Sequence, residues 1–102
     1  MSQKANTTEE SRLDALRAKY PDHKIVEFND GKVAVISKPN RTVVGLMALN
    51  NRDRGPLSAI DTLLKNCWVD GDEIVKEEAG YALGMLGLID EFIGTKTAEL
   101  KN

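Results

Sequence analysis

The sequence predicts an α+β fold: one β-hairpin packed with about four short helices in a small single domain. Three observations predict it. Two short runs rich in β-branched and apolar residues, "KIVEF" and "KVAVI", flank Asp30-Gly31, a pair suited to the positive φ of a tight hairpin turn. Leu57, Ile60, Leu63, Leu64 and Cys67 recur at three- and four-residue spacing, the clearest helical stripe in the chain. The length, 102 residues, fits one domain with a modest core.

Each element follows in order. Residues 1–8 are small and polar and read as a flexible arm ahead of a single domain over 9–94. Thr8 suits a helix N-cap, with Glu9 and Glu10 at the positive end of the dipole. Leu13, Leu16 and Tyr20 give this helix one narrow apolar stripe, and Pro21 stops it. In the hairpin over 24–37, Val26 and Phe28 share a face of the first arm. The second arm is apolar on both faces, so it is the more buried strand. A lone hairpin is marginal in water, so a helix or another strand must cover it. After Lys38-Pro39, Asn40 is a good N-cap for a helix over 41–50, with Val44, Met47 and Ala48 on one side. "NNRDRG" reads as a polar turn, and Pro56 suits the first turn of the next helix. "WVDGDE" reads as the joint before a last long helix ending near Ile93. Its apolar face is Ala82, Met85, Leu86, Ile89, Phe92 and Ile93. A second stripe, Gly80, Gly84 and Gly87, suggests close approach of another helix or of the hairpin. Gly94 ends the helix, and residues 95–102 form a polar tail.

Charge is nearly balanced, 14 basic against 16 acidic residues, so no basic excess recommends nucleic acid. It is uneven along the chain. Residues 67–102 hold three lysines and eight acids, whereas the first two-thirds are mildly basic; the asymmetry reads first as an ordinary solvated helix surface and second as suited to head-to-tail or heterotypic contacts. A single cysteine forms no internal disulfide. No apolar leader core opens the chain, and no run of about 20 apolar residues suits a membrane span.

The residues that invite chemistry are few. Cys67 continues the stripe of its helix and reads as a buried small hydrophobe, with Trp68 filling the corner beside it. The lone His23 does not stand at a spacing that pairs it with Cys67, and one cysteine with one histidine makes no zinc site of the usual kind. "DGDE" fails as a helix–loop–helix calcium loop: counting from Asp70, glycine falls at the second position instead of the sixth, and Tyr81 occupies the twelfth. Gly80-x-x-x-Gly84-x-x-Gly87 lacks the strand and the lysine of a phosphate loop. The expectation is a non-enzymatic protein with no cofactor and no metal. Partner contacts are expected at the hairpin edge, at Val26 and Phe28, and along a basic rim of Lys38, Arg41, Arg52 and Arg54 near the two central turns.

Two short motifs carry a resemblance, "KP-x-R" (Lys38, Pro39, Arg41) and "NCWVDGDE" (residues 66–73), within the element order helix, hairpin, short helix, apolar helix, last helix. Over about residues 12–101 the chain resembles small structural and morphogenesis proteins of tailed bacteriophages. These include the tail-assembly-chaperone-like group of phages of Bacteroidetes hosts, crAss-like phages among them. The resemblance implies a role in building virus particles: an auxiliary (minor) capsid or virion component that binds other capsid or tail proteins, made in the bacterial host cytoplasm. The runner-up it admits is a soluble tail-assembly chaperone for tape-measure or tail-tube protein, although the sequence carries no long extension of that kind. A small cytoplasmic regulator or nucleic-acid binder stands as the reading from a different class.

Overall fold

The structure, a computed structural model, describes residues 2–101, with side chains from Ser11 onward. Met1 of the expected arm and Asn102 of the expected tail lie outside the described residues, as do the side chains of Thr8, Glu9 and Glu10. The fold is α+β. Helix α1 (Ser2–Lys19) begins ahead of Thr8, and Leu13, Leu16 and the following Tyr20 are its half-buried stripe.

Strands β1 (Lys24–Glu27) and β2 (Val33–Ile36) pair antiparallel, with Ile25 opposite Val35 and Val26 opposite Ala34. The turn between them is the expected one: Gly31 has φ 86°, and the Asp30 carboxylate accepts the Lys32 N–H at 3.0 Å. All four residues of β2 are buried. This follows from its apolar composition and from its position, central in a three-stranded sheet of order β1-β2-β3.

Strand β3 (Trp68–Gly71) is the main departure from the sequence reading. The stretch expected as an interhelix joint pairs antiparallel with β2, Trp68 opposite Ile36 and Asp70 opposite Val35, with a bulge at Val35/Ile36. The sheet thus has two covered faces. Val26, Ala34 and Ile36 point to the main helical core. Val33 and Val35 point to the other face, which α1 crosses.

Helix α2 (Arg41–Arg54) is longer than the expected 41–50, so "NNRDR" is its last turn instead of a loop. Asn40 caps it as expected, accepting the Val43 N–H at 3.0 Å. Gly55, at φ 102°, is the whole connection to α3 (Pro56–Cys67), where proline opens the first turn. The buried Thr62 fixes this helical hairpin. Its hydroxyl donates to the Ser58 carbonyl at 2.9 Å and accepts from the Asn50 amide at 2.6 Å. In α2, Met47 is buried and Val44 half-buried, but Ala48, expected on the same side, is exposed.

The expected single last helix is broken into α4 (Ile74–Glu77), α5 (Ala79–Met85), a 3-10 turn (Leu86–Leu88) and α6 (Ile89–Ile93), closed by Gly94 in the left-handed region at φ 73°. The first break is at Glu78, which is extended (φ −102°, ψ 130°). The apolar face survives the breaks: Ala82, Met85 and Phe92 join Ile60, Leu63, Leu64, Cys67 and Val75 in the core. Full burial of a side chain such as Ile36, Ile60, Leu63 or Met85 stabilises by roughly 1.5–3 kcal/mol each.

Candidate functional site

The stretch richest in reactive residue types, Cys67 to Asp72, is committed to holding the fold together. Asp72 lies just beyond β3 and extends its ladder: its N–H donates to the Val33 carbonyl, and its carboxylate accepts the Val33 N–H, both at 2.9 Å. The same carboxylate accepts from Arg12 of α1 at 3.1 Å. Asp70 accepts the Tyr20 hydroxyl at 2.9 Å and its own neighbour's N–H, that of Gly71, at 2.8 Å. The two acids therefore tie α1 to the sheet. For Asp70, the Tyr20 hydroxyl and the Gly71 N–H hold the carboxyl below its usual range. Burial pushes Asp72 up, but Arg12 and the Val33 N–H outweigh it, and its carboxyl also sits low.

Between these acids, Gly71 has φ 129° and sits flush against β2. A Cβ there would lie 2.4 Å from the Val33 carbonyl oxygen and 2.9 Å from the Ala34 Cα. Both φ and space demand glycine. Cys67 is buried, as expected, and burial pushes its thiol above the ordinary value. Trp68 is half-buried against the core, with the Lys76 ammonium 4.8 Å above its ring. At the start of α4, Glu73 stands in the cap position without a side-chain cap bond. Among the described residues, no group of three or more His, Cys, Asp and Glu side chains is gathered as a metal site would need, and no helix is long and apolar enough to cross a membrane.

The expected partner residues are scattered. Val26 faces the core and is 8% exposed, so it offers only its backbone. Phe28 is half-buried, edge-on to Tyr81 with ring centroids 4.9 Å apart. The Tyr81 hydroxyl donates to Asp30 in the hairpin turn, which holds Asp30 low and pushes Tyr81 up to about 12. Lys38 reaches across to Gly94 at the end of α6. Arg41 and Arg52 stand at opposite ends of α2, about 16 Å apart at 1.5 Å per residue, so the four basic residues form no single rim. Arg52 pairs with Asp53 at 3.1 Å, and Arg54 lines the α2–α3 groove. One edge of the hairpin is taken by β3. The other, β1, is only four residues long and carries exposed Lys24 and Glu27, features that oppose strand addition.

The surface that the sequence reading missed is helical. Leu46 and Leu49 stand out from α2, each 43% exposed, next to Gly45. Leu46 also lines the α2–α3 groove, a cleft of about 430 Å³ that Asn50, Arg54, Asp61 and Lys65 share. Asp61 and Lys65 form a ridge. On its other side lies a cleft of about 470 Å³ between α3 and α4–α5, floored by Leu57, Leu64, Val75 and Ala82. On α5, Leu83 is 56% exposed. The signal for the α2 surface was present in the sequence. Val43, Val44, Leu46, Met47 and Leu49 spread over more of the helix than one packing interface buries.

The glycine stripe also departs from expectation. Only Gly84 meets a neighbour, Phe28, whose ring atoms lie 3.6 Å and 3.8 Å from where a Cβ would be. Gly80 and Gly87, like Gly45 in α2, meet nothing among the described residues. Gly80 is the second residue of α5 and Gly87 lies in the 3-10 turn, but Gly45 is interior to α2, where glycine costs about 1 kcal/mol relative to alanine and no close packing among the described residues offsets it. No protein-family model, curated protein or solved structure matches the chain.

Proposed function

We propose that the chain is a non-enzymatic structural protein of a tailed bacteriophage, an auxiliary (minor) capsid or virion component that binds other viral structural proteins. The observation that carries the binding reading is the pair Leu46 and Leu49, exposed on a 14-residue helix with arginines at both ends. Exposed apolar side chains framed by arginine are the composition of interaction surfaces. The commitment of Asp70, Asp72 and Cys67 to the sheet and core supports binding over catalysis, because these are the groups a reaction would need free. The viral setting is supported by the "KP-x-R" and "NCWVDGDE" resemblance. On this reading the protein is made in the bacterial host cytoplasm and ends in the virion.

Mass spectrometry of purified virions tests the reading. Stoichiometric presence is the expected result. Absence from particles, with recovery in a soluble complex with tape-measure or tail-tube protein, replaces it with the tail-assembly-chaperone reading. A gel shift at physiological salt checks the third reading, a nucleic-acid binder or regulator. With a net charge of −2, no tight complex is expected.

A further inference from the structure

Two exposed helical faces share one composition. On α2, Gly45 lies beside Leu46 and Leu49; on α5 and the turn after it, Gly80 and Gly87 flank Leu83. A Cβ at any of the three glycines would meet nothing within 4 Å among the described residues. The first face therefore offers two protruding leucines and the second one, each next to gaps where a second backbone can come close. At Gly45, inside α2, such a gap costs helix stability, and close approach of a second backbone is a use that offsets it.

The charges around the two faces are opposite. Helix α2 carries Arg41, Arg52 and Arg54 against Asp53, a net of +2. Residues 73–91 carry Glu73, Glu77, Glu78, Asp90 and Glu91 against Lys76, a net of −4, and all six side chains are exposed. Like faces repel and unlike faces attract, so pairing of α2 with α2, or of α5 with α5, is disfavoured. Leu46 of the first face lines the α2–α3 groove, whereas Gly80 of the second lines a different cleft beside Phe28, Asp30 and Tyr81, so the two faces open onto different parts of the surface.

We infer that the α2 face of one copy docks on the α5 face of a second copy, leucines seating in glycine gaps. The contact is heterologous: each copy keeps one face free, and repetition gives a ring or a filament instead of a closed two-fold dimer. The inference rests on the α2 face being a binding surface, as proposed above, and is independent of the viral setting.

Sedimentation velocity of the full chain over a concentration series tests it. The mass is expected to rise above the 11.2 kDa monomer without stopping at a dimer, and to fall back as salt is raised to about 1 M, where the screening length is about 3 Å. Two blocked variants then fix the geometry. Leu49→Glu spoils the α2 face and Leu83→Arg the α5 face; each alone is expected to stay monomeric, while their mixture forms a 1:1 dimer that grows no further. Gly45→Gln fills a gap with a better helix former, so it is expected to lose self-association while melting no lower than wild type. A wild type that stays at 11.2 kDa at every concentration overturns the inference, as does a single blocked variant that associates like wild type, or a mixture that does not pair. A chain that is monomeric alone but stoichiometric in virions removes self-association and leaves the proposed function standing.

Discussion

The strand β3 and the outer face of α2 make an instructive contrast. Around β3, every polar group of note has a partner within the chain: Asp70 holds Tyr20, Asp72 holds Val33 and Arg12, and Gly71 lies against the Val33 carbonyl. On α2, Gly45 meets nothing among the described residues and Leu46 and Leu49 face solvent. The stretch that looks reactive in the sequence is saturated by the fold, and the stretch that looks ordinary is the one left unsatisfied. The lesson is that residue types alone do not mark a functional surface; unused bonding or packing capacity does.

Substitutions at β3 should damage folding, and the largest effect is expected at its tightest point. Gly71→Ala adds a Cβ against the β2 backbone at a φ that L residues rarely adopt, so a loss of at least about 4 kcal/mol is expected. Urea unfolding measures it, and a folded variant of near wild-type stability would dissolve the contrast. Asp72→Ala comes next. It strips the Val33 N–H of its acceptor and Arg12 of its partner, with an expected loss of about 2–3 kcal/mol. The same acid sets a pH dependence. Because the folded state holds Asp70 and Asp72 below their usual range, their contribution is complete above the ordinary carboxylate pKa of about 4 and is lost as pH falls through the lower folded values. Asp72→Asn should therefore flatten the loss of stability on acidification, read as urea midpoints across that range.

Cys67→Ser is the milder core test. It places a hydroxyl where a buried thiol sits, and a loss of roughly 1–3 kcal/mol is expected. Thiol reagents should label Cys67 only as fast as the protein opens; rapid labelling of the folded chain would show that the stretch is exposed chemistry after all.

The contrast also explains what could be read from the sequence. The hairpin, the Asn40 cap, Pro56 and the Leu57–Cys67 stripe were legible because each depends on neighbours a few residues away. Strand β3 was not, because its pairing with β2 joins residues such as Val35 and Asp70 that are distant in the chain, and "WVDGDE" is too polar and glycine-bearing to declare a strand. The continuous last helix failed at Glu78 and at Leu86–Leu88, where the chain packs in short segments around Met85 and Phe92. The glycine stripe was legible, but only the structure shows that, of its three glycines, Gly84 alone meets a neighbour among the described residues. Lys38, Arg41, Arg52 and Arg54 looked like one rim because a turn was expected over residues 50–55; the helix that occupies most of that stretch holds them apart.

The division between a stretch that folds the chain and a face that binds is tested most directly on the binding side, by urea unfolding and sedimentation velocity of Leu49→Glu measured together. Leu49 is 43% exposed and its change should leave stability within about 0.5 kcal/mol of wild type, while self-association is lost. A clear drop in stability with association intact would contradict the account, because it would make α2's outer leucines part of the fold and not of an interface.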